Sequence, residues 1–322
     1  MAAEERTEAQ SGMLRNRLRK NRTKFGRWAK KRGITCFRIY DIDIPEIPLV
    51  IDWYEGRLHI TEHVTRRRPE GEEGDAWLHA MAQTAREALE VPEGHVFVKQ
   101  RRRQRGDEQY QRRDDGGHLF VVQEGGLRFH VNLSDYHDTG LFLDHRETRR
   151  RVAEEASGKR VLNLFSYTGS FSVYAGAAGA RTTTSVDLSK TYLAWSRENF
   201  SLNGMHIGDN HRLVHADVLE WLSASARRDD WYDLVVVDPP TWSTSKRMRD
   251  TLDVQRDHAQ ILQEVIRLVA PGGVVYFSTN RRKFALDERA FEGTLATELT
   301  SQTVPEDFRA RRPHRCWRAV RG

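Results

Sequence analysis

From Val161 onward, short apolar runs alternate with helical stretches, and that alternation predicts an α/β chain built on a mostly parallel, doubly wound sheet. Two further observations agree. Val235-Val236-Val237 is apolar at every position, as a strand covered by helices on both faces must be. Asp238-Pro239-Pro240 then ends it, because proline brings no amide hydrogen to a ladder and restricts the residue before it. Ahead of this region the order is strand, helix, strand, with a hairpin turn, which predicts a smaller N-terminal α+β domain.

In chain order, residues 1–12 are expected to be a disordered tail. Met13 to Arg32 carries ten basic residues and no acidic one, with Leu14, Leu18, Phe25 and Trp28 at helical spacing. This predicts an amphipathic helix with one apolar stripe. Its cations, Arg17, Arg19 and Lys20 among them, are open to two readings: a solvated face or phosphate contacts. Short strands follow between Cys36 and Val64, broken by Pro45 and Pro48. Ala76 to Leu89 is helical up to Pro92, and His95 to Lys99 and Leu119 to Val122 are strands. Glu124-Gly125-Gly126 turns the chain into Leu127 to Leu133. The expected organisation is a basic helix plus a small RNA-binding α+β domain over 13–134 and a larger domain over 135–322. In the larger domain, strands are expected at Val161–Leu164, Thr183–Val186, Leu213–Val214, Leu234–Val237 and Val274–Phe277. Between them, Ser170–Ala178, Ser189–Leu202, Asp217–Ser225 and Val254–Val269 read as helices.

Composition narrows the class. Charged residues are 30% of the chain against 38% hydrophobic, so a soluble protein is expected. The net charge is +6, with 52 Lys and Arg against 46 Asp and Glu. Guanidinium forks match phosphates and stack on bases, so an anionic partner is favoured, nucleic acid first. Cys36 and Cys316 are the only cysteines and lack metal-type spacing, which points to a reducing compartment and no structural zinc. No apolar run reaches spanning length and Met1 to Gln10 is polar, so a cytoplasmic protein with no membrane partner is expected.

Three carboxylates stand at strand ends: Asp187, Asp217 and Asp238. Asp187 lies eighteen residues beyond Gly169, near the spacing at which an acid after a glycine turn takes ribose hydroxyls. Asp217, followed by Val218, can accept from an adenine amino group or cap the next helix, and one residue can do both. The run Asn163-Leu164-Phe165-Ser166-Tyr167-Thr168-Gly169-Ser170 would bring backbone close to a ligand at a helix N-terminus. It contains no Gly-x-Gly-x-x-Gly, which counts against a dinucleotide enzyme.

Asn16 to Asn21, Asp138 to Arg146, Asn163 to Gly169, Asp238 to Met248, Asp253 to His258 and Cys316-Trp317 together resemble the 23S rRNA guanine-N7 methyltransferase family, the RlmK half of the bifunctional RlmKL enzymes. The likeness covers residues 13–322. It implies a Rossmann-like class I methyltransferase sheet, mostly parallel and seven-stranded, with S-adenosyl-L-methionine as cofactor. It implies cofactor contacts from Asp144, Asn163, Phe165, Tyr167, Thr168, Gly169, Ser170, Asp187, Leu188, Asp217 and Val218, with Asp144 closing over the methionine end. On the residues alone, Asp144 and Arg146 could equally be a surface ion pair. The resemblance further implies 23S rRNA or a large-subunit assembly intermediate as partner, and a separate guanine-N2 methyltransferase in place of the absent half.

Three acceptor chemistries differ in what they need. A pyrimidine carbon needs a cysteine nucleophile, and neither cysteine lies beside Asp238 in the sequence. An exocyclic amine needs acceptors such as Asp238 and the Pro239 carbonyl. Guanine N7 has an in-plane lone pair and needs mainly alignment, with Asp238 as a positioning group. The residues leave the last two open; the resemblance favours N7. Trp242 is placed to stack on an extruded base or to pack in the core, and Lys246 and Arg247 to meet phosphates or solvent. From another class, the chain could be an RNA-binding ribosome-assembly factor with secondary transferase activity.

Overall fold

The computed structural model describes residues 2–63, 71–101, 119–135, 138–225, 231–243, 251–308 and 311–322. The chain divides into two compact units. One comprises Met1–Gly126, Val131–Thr139 and Glu306–Arg311; the other comprises Leu127–His130, Gly140–Pro305 and Arg312–Gly322.

In the first unit, helix α1 (Ala2–Arg32) is longer than expected. The expected tail over 1–12 is instead its first turns from Ala2. Ala, Glu, Arg and Gln are strong helix formers, and Glu4 and Glu5 suit the positive end of the helix dipole. Leu14 and Leu18 are fully buried, while Phe25 and Trp28 pack at the edge of the same cluster. The apolar stripe therefore faces the core and Arg17, Arg19 and Lys20 face outward. Strands β1 (Cys36–Asp41), β2 (Leu49–Tyr54) and β3 (Arg57–His63) form an antiparallel meander. Helix α2 (Gly71–Leu89) then crosses over, so that β4 (Val96–Arg101) joins parallel to β3, the connection a parallel pair demands. β5 (Leu119–Glu124) ends at Gly125-Gly126, both at positive φ, and the chain continues as β6 (Leu127–Asn132), whose Leu127–His130 belong to the second unit.

The second unit starts with a short 3-10 turn (Leu143–His145) and α3 (Arg146–Ala156). Then come β7 (Arg160–Leu164), α4 (Ser170–Ala177), β8 (Thr182–Asp187), α5 (Lys190–Leu202), β9 (His211–His215), α6 (Val218–Ser225) and β10 (Tyr232–Val237). The ribbon β11 (Trp242–Ser243) and β12 (Leu252–Asp253) precedes α7 (Val254–Arg267), β13 (Val269–Thr279), β14 (Thr294–Glu298), α8 (Thr300–Thr303) and β15 (Arg315–Arg321). Seven strands make one sheet in the order β14-β15-β13-β10-β7-β8-β9. β15 runs antiparallel to both its neighbours, and the other described pairs are parallel.

The alternation along β10 explains its unbroken apolar run. Val235 and Val237 pack with Leu222, Leu262 and Val265 on one face. Leu234 and Val236 pack with Val152, Phe171 and Ala175 on the other. Each such side chain contributes about 1.5–3 kcal/mol of burial, so a polar residue at any of these positions would be selected against by the fold itself.

Candidate active site

The sheet order sets the site. β7 lies between β10 and β8, so the loops leaving β7 and β10 open at a point where the order reverses, the usual ligand position in open α/β sheets. The three strand-end acids are therefore not a spatial row. Asp187 and Asp217 follow β8 and β9 on one side of β7, and Asp238 follows β10 on the other.

The loop after β7 is tightly held. Phe165, Tyr167 and Gly169 have φ of 57°, 51° and 74°, a left-handed conformation rare outside glycine. A Cβ on Gly169 would lie 2.0 Å from Ser196 Oγ. The Tyr167 N–H donates to Asp187 Oδ2 at 2.8 Å, and the Ser189 N–H donates to Oδ1 at 2.8 Å. Burial pushes the Asp187 carboxyl up to about 6, while the amides of Ser189, Tyr167 and Leu188 pull it back. Thr168 is buried, its hydroxyl donating to the Gly140 carbonyl at 2.6 Å and its own carbonyl accepting from the Asn199 amide at 2.9 Å. The Ser166 hydroxyl is buried with no partner among the described residues, and half-buried Ser170 opens α4.

Other expected contacts fall differently. Asp217 Oδ1 accepts from the Leu219 N–H at 2.8 Å, so the capping reading holds. The Leu188 carbonyl lies 3.0 Å from His215 Nε2. Val218 belongs to the apolar core. Asn163 is turned inward. It is buried within β7 and its amide donates to Ser172 Oγ at 3.0 Å, next to Ser185. On a strand covered from both sides, its side chain satisfies the interior instead.

Around Asp238 the sequence showed too little. The Ser278 hydroxyl donates to Asp238 Oδ1 at 2.6 Å, and His145 Nε2 faces Oδ2 at 3.5 Å. His145 stacks on His314, with ring centroids 4.4 Å apart, and His314 Nδ1 meets Asp144 Oδ2 at 3.0 Å. Burial holds His145 below the usual histidine range, against the opposing pull of Asp238 and Asp144. Asp144, His145 and His314 bring ligand atoms within 4.8 Å of one another, but the direct bond from His314 to Asp144 makes the group a hydrogen-bonded cluster rather than a ready cation cage. Buried Arg149 donates to the Phe142 carbonyl at 2.8 Å and fixes the loop that carries Asp144. His145 was in plain view beside Asp144. His314 lies far along the chain between Pro313 and Arg315, and the sheet order, invisible in sequence, brings them together.

Cys316 also moves. Far from Asp238 in sequence, it pairs in register with Ser278, the residue that holds Asp238. It is fully buried, and burial pushes its thiol up to about 12. A thiol that is protonated at neutral pH is a poor nucleophile, so the carbon-methylation route stays disfavoured for this reason rather than for distance.

Pro239 is buried at the strand end. Trp242, on β11, is 61% exposed, which removes the core-packing reading. Lys246 and Arg247 lie outside the described residues, as do Arg102, Arg103 and Arg309. None of the described helices is long and apolar enough to cross a membrane.

A mostly parallel sheet with a glycine turn after its central strand and acids at the flanking strand ends is a frame in which open α/β sheets hold a nucleoside ligand. Residues 38–310 match the model of the S-adenosylmethionine-dependent methyltransferases. The chain is 49% identical over 95% of its length to a ribosomal RNA large subunit methyltransferase K/L of Pseudomonas putida, covering 41% of that protein. It is 45% identical over 94% of its length to the ribosomal RNA large subunit methyltransferase K of Neisseria meningitidis, covering 85% of that one. A solved methyltransferase, SMU.776 complexed with SAH, shares the fold with a TM-score of 0.78 at 23% identity, over 96% of this chain and 81% of that one. The chain belongs to the S-adenosylmethionine-dependent methyltransferases, in the group of the K enzymes. It spans about two fifths of the length of the K/L relatives that match it first.

The loop after β7 fits that cofactor. Gly169, at positive φ, lets the loop pack directly on Ser196 of α5, the Ser166 hydroxyl has no partner among the described residues, and Asp187 is preset by two amides to accept hydroxyls.

Proposed function

We propose that this chain methylates guanine N7 in the large-subunit rRNA, with S-adenosylmethionine supplying the methyl group as an activated sulfonium. The observation that carries the reading is Asp238, an acceptor fixed by Ser278 at the strand end beside buried Pro239, with exposed Trp242 four residues on. Trp242 stacks on the extruded base, and Asp238 accepts from its N1 and amino edge and turns N7 toward the donor. N7 has no proton to lose, so alignment and exclusion of water do the work. His145 Nε2 faces the other oxygen of Asp238 at 3.5 Å. Asp187 and Asp217 hold the adenosine portion, Gly169 and its loop the backbone side of the cofactor, and Asp144 the methionine end. Arg17, Arg19 and Lys20 of α1, with Lys246 and Arg247, meet phosphates, so RNA binding weakens steeply with salt.

Incubation with labelled cofactor and unmodified rRNA, followed by borohydride–aniline cleavage and mass spectrometry, tests the reading. Cleavage at the labelled base supports N7. Label without cleavage would exclude N7 and favour the exocyclic-amine alternative that the Asp238-Pro239 acceptor pair also serves.

Trp242→Ala should weaken kcat/KM for rRNA by about 5- to 150-fold, the worth of one stacked base. SAH affinity should stay unchanged, because the indole belongs to the acceptor side; a fall in cofactor binding instead would reassign this residue.

Cofactor affinity should depend on pH through Asp187. Ribose hydroxyls donate to the ionised carboxylate, whose pKa is about 6. Binding is full near pH 7.5 and drops about tenfold by pH 5, as that group takes up a proton. The fold responds with the opposite sign. A carboxyl whose folded pKa is raised makes a contribution that improves as pH falls from about 6 toward its unfolded value near 4. Calorimetric titration with SAH across that range checks this, and a flat affinity would remove Asp187 from the cofactor site.

A further inference from the structure

Outside the methyl-transfer site, the first unit contains a cleft of ≈ 720 Å³ lined by α1, by β1 and the turn after it, and by Glu306, Asp307 and Arg311. Its lining sets the cations Arg17, Lys20, Lys24, Arg38 and Arg311 against the acids Asp41, Asp43, Glu306 and Asp307. Asp41, also in its lining, is a buried acid, 7% exposed. Its Oδ1 lies 3.5 Å from Arg38 Nη1, but its Oδ2 is buried and has no hydrogen-bond partner among the described residues. Native proteins rarely leave a buried carboxylate oxygen unpaired, so an unfilled acceptor inside a cleft invites a donor from a ligand. Its neighbour Asp43 is already engaged by the Asn21 amide at 2.9 Å and by Arg17 at 3.8 Å. Burial raises the Asp41 carboxyl above the usual range, while Arg38 and Arg311 hold it down. Ile42, also in the lining, has φ of 52°, a genuine outlier for a β-branched residue and of the kind that gathers at binding sites.

The ligand must join an anion for Arg17, Lys20 and Arg311 to an N–H donor for Asp41, within a volume suited to a nucleotide. A basic peptide would satisfy Asp41 and be repelled by the other cations. Among RNA bases, guanine alone presents two adjacent donors, N1–H and N2–H. Uracil N3–H is flanked by carbonyl oxygens that would face the carboxylate, and adenine and cytosine each set an acceptor nitrogen beside their amino group. We propose that this cleft is a second guanine-reading site, which captures an unpaired guanosine of the RNA strand through Asp41 while Lys20, Arg17 and Arg311 hold its phosphates. The proposal rests on RNA being the substrate, and not on which atom is methylated.

The test is fluorescence anisotropy of the full chain with a labelled twelve-nucleotide oligouridylate, the same strand with one central guanosine, and one with inosine there. Wild type should bind the guanosine strand about tenfold tighter than oligouridylate, the discrimination of one good base contact, and inosine should forfeit most of that gain. Asp41→Asn should remove most of the preference, and all of it in the Asp238→Ala background, while leaving oligouridylate binding and SAH affinity in place and the melting temperature unchanged or raised. Lys20→Glu should weaken all three strands alike. Asp238→Ala should keep the preference. Loss of preference in Asp238→Ala but not in Asp41→Asn would place guanine reading wholly in the methyl-transfer site and overturn the proposal, leaving the proposed activity standing. Equal wild-type affinity for guanosine and inosine strands also overturns it, and that comparison changes only the ligand, so it decides even if Asp41→Asn fails to fold. Free guanosine monophosphate binding as tightly as the strand would overturn the assignment to RNA in favour of a free nucleotide.

Discussion

Replacing Asp238 by alanine should lower methyl transfer to rRNA by about 10²–10³-fold, with SAH affinity preserved. The magnitude is that of losing one preorganised polar group or the alignment it enforces. Asp238 lies on the β10 side of β7 and Asp187 on the β8 side, so the acceptor end can fail while the cofactor end stays whole. Alanine also strips the Ser278 hydroxyl of its 2.6 Å acceptor. Asp238→Asn is therefore the companion variant. It keeps an oxygen for Ser278 but offers an amide where the guanine edge donates, so it too should be nearly inactive while melting close to wild type. Full transfer by either variant in single-turnover assays on unmodified rRNA would sink the assignment.

The second large effect is expected at Gly169. Gly169→Ala adds a Cβ 2.0 Å from Ser196 Oγ at a residue whose φ is 74°. The left-handed backbone costs an L-residue about 1–2 kcal/mol, and the clash must push the loop off α5. The loop carries the Tyr167 N–H that presets Asp187, so SAH affinity should fall by about a hundredfold, the scale of a displaced binding loop. Gly33→Ala is the control. Its φ is 64° with no atom within 4 Å of an added Cβ, so it carries the backbone strain without the collision and should leave SAH binding intact. Equal affinity losses in the two variants would mean that general destabilisation, not the loop, explains the effect.

How much of this was legible depended on range. β10 and its end at Asp238 were readable because an apolar run and a proline pair act locally. The glycine turn and Asp187 were readable for the same reason, since eighteen residues of one βα unit separate them. The order of strands was not: β10 lies beside β7 rather than β9, and nothing in the apolar pattern records which neighbour a strand chooses. His314 and Cys316 reach Asp144 and Ser278 only through the antiparallel return of β15. The inward turn of Asn163 was not readable, because a motif position does not reveal which way a strand residue points. The first turns of α1 were missed because a polar, charged opening looks like a tail until an adjoining apolar stripe anchors it.

The place of β15 also bears on how the chain acquires its shape during translation. β15 is made after β14 yet lies between β14 and β13. As synthesis proceeds from the N-terminus, the nascent sheet therefore reaches β13 with an open edge. That edge cannot be covered until Arg315–Arg321 has emerged and slipped in antiparallel. Unpaired strand edges are where partly folded chains meet other chains. Until β15 arrives, the backbone groups along that side of β13 are open to pairing with another chain.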